Sequence, residues 1–275
     1  VLSPETLAAL LPTKTLGQSL FVFEELPSTN TYALQLGKSP TPQGTVVLAD
    51  KQTAGRGRLQ RPWFSPPGAN IYGSLIFSLN LPFQAMGWIP LMAGTAIAQA
   101  IGDHTNLEIT LKWPNDILIA ERKVGGILCE SFKRNSAEIC VVIGFGINVN
   151  LSQETFPTEL QAMATSLQIE AQRPLDRHQL LTSMTTTLEQ GWETLLSQGP
   201  ASCRLAYTAR CSTLGSQIQV QFPDGRLLEG LAQSIGEQGQ LQIQTSPSGT
   251  KEQSANIVDI HSGDIRHIRR AAALH

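Results

Sequence analysis

Between residues 109 and 149 four segments rich in β-formers follow one another: ITLKW (109–113), ILIA (117–120), GGILCES (125–131) and EICVVIGFGINV (138–149). All are short. They specify a mixed, mainly antiparallel sheet rather than a regular βαβ alternation, and so an α+β fold with helices added around one sheet. Upstream, FVFEEL (21–26), TVVLAD (45–50) and IYGSLIFSLN (71–80) read as further strands. PSTNTYALQLG reads as a turn entering a helix, with Ser28, Thr29 and Asn30 suited to the N-cap region. PLMAGTAIAQAIG (90–102) has the small and apolar residues of a buried helix.

From Asp176 the pattern turns helical. Leu180, Met184, Leu188 and Trp192 recur every four residues, and Leu181, Leu195 and Leu196 widen the stripe, which is that of core packing. Asp176 with Gln179 resembles a capping box. Past residue 210 the texture changes again. IQVQF (218–222) alternates, PDG (223–225) marks a turn, and LLEGLAQSI, LQIQT and ANIVDI follow at short spacing, as expected of a small SH3-like β-barrel. The expected division is a catalytic domain over 1–209 and a C-terminal β domain over 210–275.

Two stretches concentrate chemistry. GRGRLQRPW (55–63) puts Arg56, Arg58 and Arg61 beside Gly55 and Gly57 and closes on Trp63. It is not a Walker A element, which needs GxxxxGK[ST], and it lacks the third glycine of a dinucleotide fingerprint. The glycines let backbone approach a ligand, the arginines offer bidentate forks to carboxylate or phosphate, and Trp63 can stack on a planar base. A solvated loop with incidental charge, or a disordered RNA-binding segment, would share the composition. The second stretch, KWPNDILIAERKVGGILCE (112–130), places Asn115 and Asp116 at a corner where an Asx-turn is the ordinary role, then sets Lys123 before Gly125-Gly126. A lysine and three arginines with flanking glycines point to a triphosphate or an acyl phosphate.

The whole chain offers nucleic acid no general attraction, with net charge −2 and pI near 6.2. No apolar run approaches the roughly 18–20 residues of a membrane span. VLSPETLAALL lacks the marks of a secretory signal. Cys129, Cys140, Cys203 and Cys211 are scattered without a CxxC, and no HExxH occurs, so a zinc site is not expected and a reducing cytoplasm is the expected compartment. Cys140 reads as a small core residue.

Taken jointly, PSTN (27–30), QTAGRGRLQRPW (52–63), KWPND (112–116), KVGGILCE (123–130) and GFGINVN (144–150) closely resemble the words of biotin protein ligases, in the same order and at comparable spacing. The long helix and β-rich tail continue the resemblance. The chain departs from it at Leu59-Gln60 and Pro62, where relatives often carry glycine or lysine. The resemblance implies a biotin/lipoate ligase-like catalytic domain that joins the biotin carboxylate to the α-phosphate of ATP. Pyrophosphate leaves, and biotinyl-5′-adenylate then gives biotin to a lysine of the biotin carboxyl carrier protein of acetyl-CoA carboxylase. Mg2+ would accompany ATP as phosphate counter-charge; the residues that would bind it are not identified.

By matching position, the resemblance implies that Ser28, Thr29, Asn30 and Gln52 hold the ureido end of biotin, and that Gly126 also contacts biotin. Gly55, Arg56, Gly57 and Arg58 would close over it. Arg58 and Lys123 would meet the carboxylate and α-phosphate as the catalytic pair. Arg61 would reach the outer phosphates, Trp63 would stack near adenine, and Lys112, Asn115 and Asn148 would contact phosphate, metal or nucleotide. Asp116 would orient the acceptor lysine. Residues 55–63 are expected to be mobile without ligand and ordered by biotin or the adenylate. The rival within this fold is a lipoate or octanoate ligase or transferase, against which GRGRxxRxW speaks. About 20 residues precede FVFEEL, too few for a helix-turn-helix unit, so DNA binding is not expected. An exposed sheet edge would serve either a homodimer or transient pairing with the acceptor domain.

Overall fold

The computed structural model describes residues 2–79, 85–135, 138–222, 224–245 and 256–267. Asn80, Pro223 and Ala255, in three of the segments read above, lie outside them. Seven strands form one mixed sheet: β1 (Leu20–Leu26), β2 (Thr45–Gln52), β3 (Ile71–Leu79), β4 (Thr110–Lys112), β5 (Asp116–Ile119), β6 (Arg122–Lys133) and β7 (Ile139–Ile147). Their order is β1-β2-β3-β7-β6-β5-β4, and within it β1–β2 is the parallel pair while the other neighbours run antiparallel. The last strand of the 109–149 run thus lies mid-sheet, between β3 and β6.

Register assembles the chemistry. Gly146 of β7 lies opposite Tyr72 and Gly126, Gly126 opposite Asp116, and Asp116 opposite Lys112. One cross-strand row therefore carries residues from three separate sequence words. The next row sets Gly144 between Ser74 and Leu128.

Helices cover the sheet unevenly. On one face, α3 (Trp88–Thr105) and α5 (Arg177–Gln198) bury the main core with Leu48, Leu75, Phe77, Val141 and Ile143. Asp176 caps α5 by accepting from His178 N and Gln179 N at 2.8 and 3.3 Å. Leu180, Leu181, Met184, Leu188, Trp192 and Leu195 are buried, and Trp192 stacks on Phe77 with ring centroids 3.8 Å apart. Leu196 departs from the expected stripe: it is 45% exposed, one residue past the buried edge. On the other face α2 (Thr29–Leu36) covers Val47, Ile76, Cys140 and Val142, with Cys140 buried as read. The N-terminus of α2 reaches Gly144 through Asn30, while Gly126 and Gly146 face Lys123 and Trp63 rather than a helix. Three further helices, α1 (Pro4–Leu10), α4 (Leu167–Ala171) and α6 (Pro200–Thr208), were not read from the sequence.

Beyond α6, β8 (Gln217–Gln221), β9 (Leu227–Ile235), β10 (Leu241–Thr245), β11 (Asn256–Ile260) and β12 (Asp264–His267) form a second, antiparallel sheet in the order β11-β10-β9-β8-β12. Among the described residues its end strands do not pair with each other, so no strand pairing closes the sheet. Two indoles, Trp88 at the start of α3 and Trp113 just past β4, fasten it to the rest of the fold. Trp113 Nε1 donates to Gly239 O at 3.0 Å and Trp88 Nε1 to Glu237 O at 2.7 Å. Among the described residues no helix is long and apolar enough to cross a membrane.

The segment returning from the arginine loop to β3 is held by a buried ion pair. Asp50 accepts from Arg177 Nη1 at 2.9 Å and from Gly68 N at 2.8 Å, while Arg177 also donates to Asn70 O. Both side chains are about nine-tenths buried. Asp50→Ala would strand a buried guanidinium and an amide N–H, at an expected loss of about 3–5 kcal/mol in unfolding free energy. Urea unfolding checks this, and an unchanged midpoint contradicts it.

Candidate active site

A cavity of about 860 Å³ opens over the glycine end of the sheet, within the usual size range for small-molecule and cofactor sites. The candidate residues Ser28, Thr29, Asn30, Gln52, Arg56, Gly57, Arg58, Arg61, Trp63, Lys112, Asn115, Asp116, Lys123, Gly126 and Asn148 all line it. Gly55 does not: it sits behind the wall, where an added Cβ would come within 2.6 Å of Ser65 Oγ and 2.8 Å of Trp63 O.

The polar end is built on the N-terminus of α2. Ser28 caps it, its Oγ accepting from Thr31 N at 3.4 Å, so its hydroxyl proton is left for another acceptor. Asn30 Nδ2 donates to Leu128 O at 3.1 Å and to Glu130 Oε2 at 2.9 Å, which commits both amide hydrogens and fixes the amide orientation. Ser74 Oγ lies 2.6 Å from Asn30 Oδ1 and 2.9 Å from Thr29 Oγ1. The amide oxygen has no proton, so Ser74 donates there, and the Thr29 proton is shared between Ser74 Oγ and Gln52 Oε1, 3.3 Å away. Gln52 Oε1 accepts from Thr29 N at 2.9 Å, Gln52 Nε2 donates to Ser65 Oγ at 3.1 Å, and Ser65 donates to Trp63 O at 2.9 Å.

The arginine loop folds back on itself. Gly57 N donates to Arg61 O at 2.7 Å, Trp63 N to Gly55 O at 2.8 Å, and Arg56 forms an antiparallel bridge with Pro62. At its tip Leu59 and Gln60 take φ of 55° and 58°. This left-handed conformation favours glycine and costs an ordinary residue on the order of 1 kcal/mol or more. They are two of the three positions, with Pro62, at which the chain departs from the ligase pattern.

The three arginines have different partners. Arg56 grips Glu130 with both ends of its fork, at 2.9 and 2.7 Å, and Arg61 grips Asp264 of β12 at 3.2 and 2.6 Å. Arg58 lies deeper and makes one long contact, 3.4 Å, to Asn115 Oδ1. Burial lowers the pKa of Arg58 from its ordinary value, partly offset by Asp116 and Asp264; its hydrogen bond to Asp264 raises that of Arg61. Lys123 Nζ pairs with Asp116 at 2.5 Å and sits 5.3 Å from the Trp63 ring centroid. Lys112 has no ion-pair partner among the described residues. Trp63 lies against two glycines: a Cβ on Gly146 would come within 2.5 Å of Trp63 Nε1, and one on Gly126 within 3.5 Å of its ring. Its Nε1 is buried without a hydrogen-bond partner among the described residues. Asn148 Nδ2 donates to Thr165 O at 3.0 Å, which ties it to the segment before α4.

Sequence reasoning missed three parts of this site. Glu130 stands in KVGGILCE, two and four residues beyond Leu128 and Gly126, and strand alternation was a signal that it shares their face. Asp264 gave none, being 203 residues from Arg61. The far wall, with Phe156, Leu160, Met163 and Ala164, carries no periodic pattern; it is joined to the start of β6 by Lys123 N to Met163 O and Thr165 N to Lys123 O, at 2.8 and 2.9 Å. No group of three or more His, Cys, Asp or Glu among the described residues could hold a metal ion.

The cavity thus joins a polar end, a cationic middle and an apolar wall, an arrangement able to hold two anions together beside a planar group. Comparison with known proteins matches this reading. Residues 22–148 match the model of the biotin/lipoate A/B protein ligase family. A bifunctional ligase/repressor of Bacillus subtilis is 34% identical over 247 residues, 90% of this chain and 76% of that protein. A biotin–[acetyl-CoA-carboxylase] ligase of Mycobacterium tuberculosis is 32% identical over 259 residues, 92% of this chain and 90% of that protein. The structure of the biotin protein ligase from Aquifex aeolicus in complex with biotin and ATP superposes with a TM-score of 0.75 at 27% identity, covering 91% of this chain and all of that one. On motif, geometry and relationship together, the chain belongs to the biotin/lipoate A/B protein ligase family.

Proposed function

We propose that this protein is a biotin protein ligase, which activates biotin with ATP and transfers it to a lysine of the biotin carboxyl carrier protein. The observation that carries the reading is the convergence of Arg58 and Lys123, 65 residues apart in sequence, on one cavity whose other end is a hydroxyl-lined polar recess. A carboxylate and a triphosphate repel each other, and fixed cations between them offset that repulsion.

In this reading Ser28 donates to the ureido carbonyl and Thr29 Oγ1 accepts from a ureido N–H, since Thr29's own proton is spent on Ser74 and Gln52. Asn30 and Gln52 line this end and hold Thr29 and Ser74 in place. Backbone at Gly57 closes over biotin, with Gly126 beneath. A carboxylate oxygen attacks the α-phosphorus, the bond to the β-phosphate oxygen breaks, and pyrophosphate leaves. Arg58 and Lys123 stabilise the charge on the transferring phosphoryl group. Lys112, Arg61 and Asn115 serve the outer phosphates, while Mg2+ enters with ATP as their counter-ion. Trp63 and the wall at Phe156, Leu160 and Met163 give the purine apolar surfaces, and Asn148 Oδ1 remains to accept from nucleotide. The acceptor lysine, as the neutral amine, then attacks the adenylate carbonyl and AMP leaves. Asp116 orients that amine when it exchanges Lys123 for it. Residues 1–209 form the catalytic domain and 210–275 an SH3-like unit that reaches the loop through Asp264.

Two measurements test this. ATP–pyrophosphate exchange is expected with biotin and not with lipoate, and a purified carrier domain added afterwards should become biotinylated on one lysine. Exchange supported by lipoate alone would favour a lipoate ligase on the same fold. Separately, Lys123→Ala is expected to cut adenylate formation by about 100-fold or more while leaving the circular dichroism spectrum unchanged. Normal pyrophosphate release by that variant removes Lys123 from the catalytic pair.

A further inference from the structure

The side chains beneath the cavity form one continuous belt. It runs from Trp63 O through Ser65, Gln52, Thr29, Ser74 and Asn30 to Glu130, and ends on Arg56. Its two ends are the two stems of the arginine loop. Glu130 is the link between sheet and loop. One of its oxygens takes Arg56 Nη1, the other takes both Arg56 Nη2 and Asn30 Nδ2, and it is not itself among the cavity-lining residues.

We infer that Glu130 is a positioning residue for the arginine loop: by holding Arg56 against Asn30 it keeps residues 55–63 folded over the cavity and places Arg58. The lever is short and stiff. Gly57 N to Arg61 O and the Arg56–Pro62 bridge make residues 56–62 one turn, so pinning Arg56 pins Arg58 two residues on. The turn needs a tie, because Leu59 and Gln60 are both left-handed and favour release. The other tie, Arg61 to Asp264, has its arginine 61% exposed, whereas the side chains of Arg56 and Glu130 are 19% and 27% exposed. A shielded bidentate pair holds more firmly than an exposed one. Glu130 therefore governs how well the acid and its adenylate are retained, without touching either.

The test compares full-length wild type, Glu130→Gln, Arg56→Gln and the double variant. The kinetic arm rests on the biotin-ligase reading; the proteolytic arm does not. In ligand-free protein, trypsin should cut after Arg58 several-fold faster in Glu130→Gln, followed by mass spectrometry, with an unchanged thermal midpoint showing that the fold is intact. In pyrophosphate exchange the KM for biotin should rise about tenfold with kcat within about twofold, and the double variant should be no worse than the worse single one. Unchanged nicking, a fall in kcat at constant KM, or additive effects would overturn the role. Should Glu130→Gln fail to fold, faster nicking in Arg56→Gln supports the tie and wild-type nicking sinks it. A wild type with no biotin-dependent exchange overturns the ligase reading alone, and the ligand-free nicking comparison still decides Glu130.

Discussion

Two missing side chains on the middle strand shape this site. A Cβ at Gly144 would overlap the Asn30 amide, and one at Gly146 would press into the Trp63 indole. Because β7 is bare there, the N-terminus of α2 and the end of the arginine loop can both lie flat on the sheet. The cavity is the space between them. Register completes it, since Gly146, Gly126, Asp116 and Lys112 face one another across four strands. A single-residue slip of β6 would turn Glu130 and Gly126 toward the α3–α5 core and dismantle the site.

Charge is the second constraint. The cavity wall carries Arg56, Arg58, Arg61, Lys112, Arg122 and Lys123 against Asp116, Glu121 and Asp264. So many cations at close quarters would repel one another, and most are paired with carboxylates. Arg122 is held by Glu170 outside the wall at 2.6 Å, as Arg56 is by Glu130. The pairings divide the cations by task. Arg56, gripped bidentately by a carboxylate behind the wall, is part of the scaffold, while Arg58, with one long contact, and Lys112, without an ion-pair partner among the described residues, can meet ligand anions without first breaking a strong pair.

The strands were legible because each is a short β-branched run between turn residues, and the long helix because its apolar stripe keeps the α-period. Leu196 shows the resolution of that signal: one residue beyond Leu195 the helix surface already faces solvent. The cationic residues were legible as motif words. What each does was less so, because a motif does not state its hydrogen-bond accounting. Asn30 reads from sequence as a ligand contact, yet its amide hydrogens go to Leu128 and Glu130. Glu130 and Asp264 act through arginines 74 and 203 residues away, and tertiary pairing at that range leaves no local pattern. The nine residues of α6 are too few to establish a period.

The arginine loop poses a problem of opposites that its two ties resolve. On the proposed function it would close over a reactive anhydride, which water would destroy, and open to admit substrate and acceptor. Non-glycine residues at φ near 55° to 58° at the tip favour opening, whereas glycine there would have made closure nearly free of strain. Closure then depends on Arg56–Glu130 and Arg61–Asp264, one to each sheet. Opening would break ion pairs rather than buried apolar packing at the tip, for Leu59 is already 54% exposed in the closed arrangement. On the proposed function, such pairs would let the loop open and reclose with little reorganisation, and the two ties on either side of Arg58 would return it to one place.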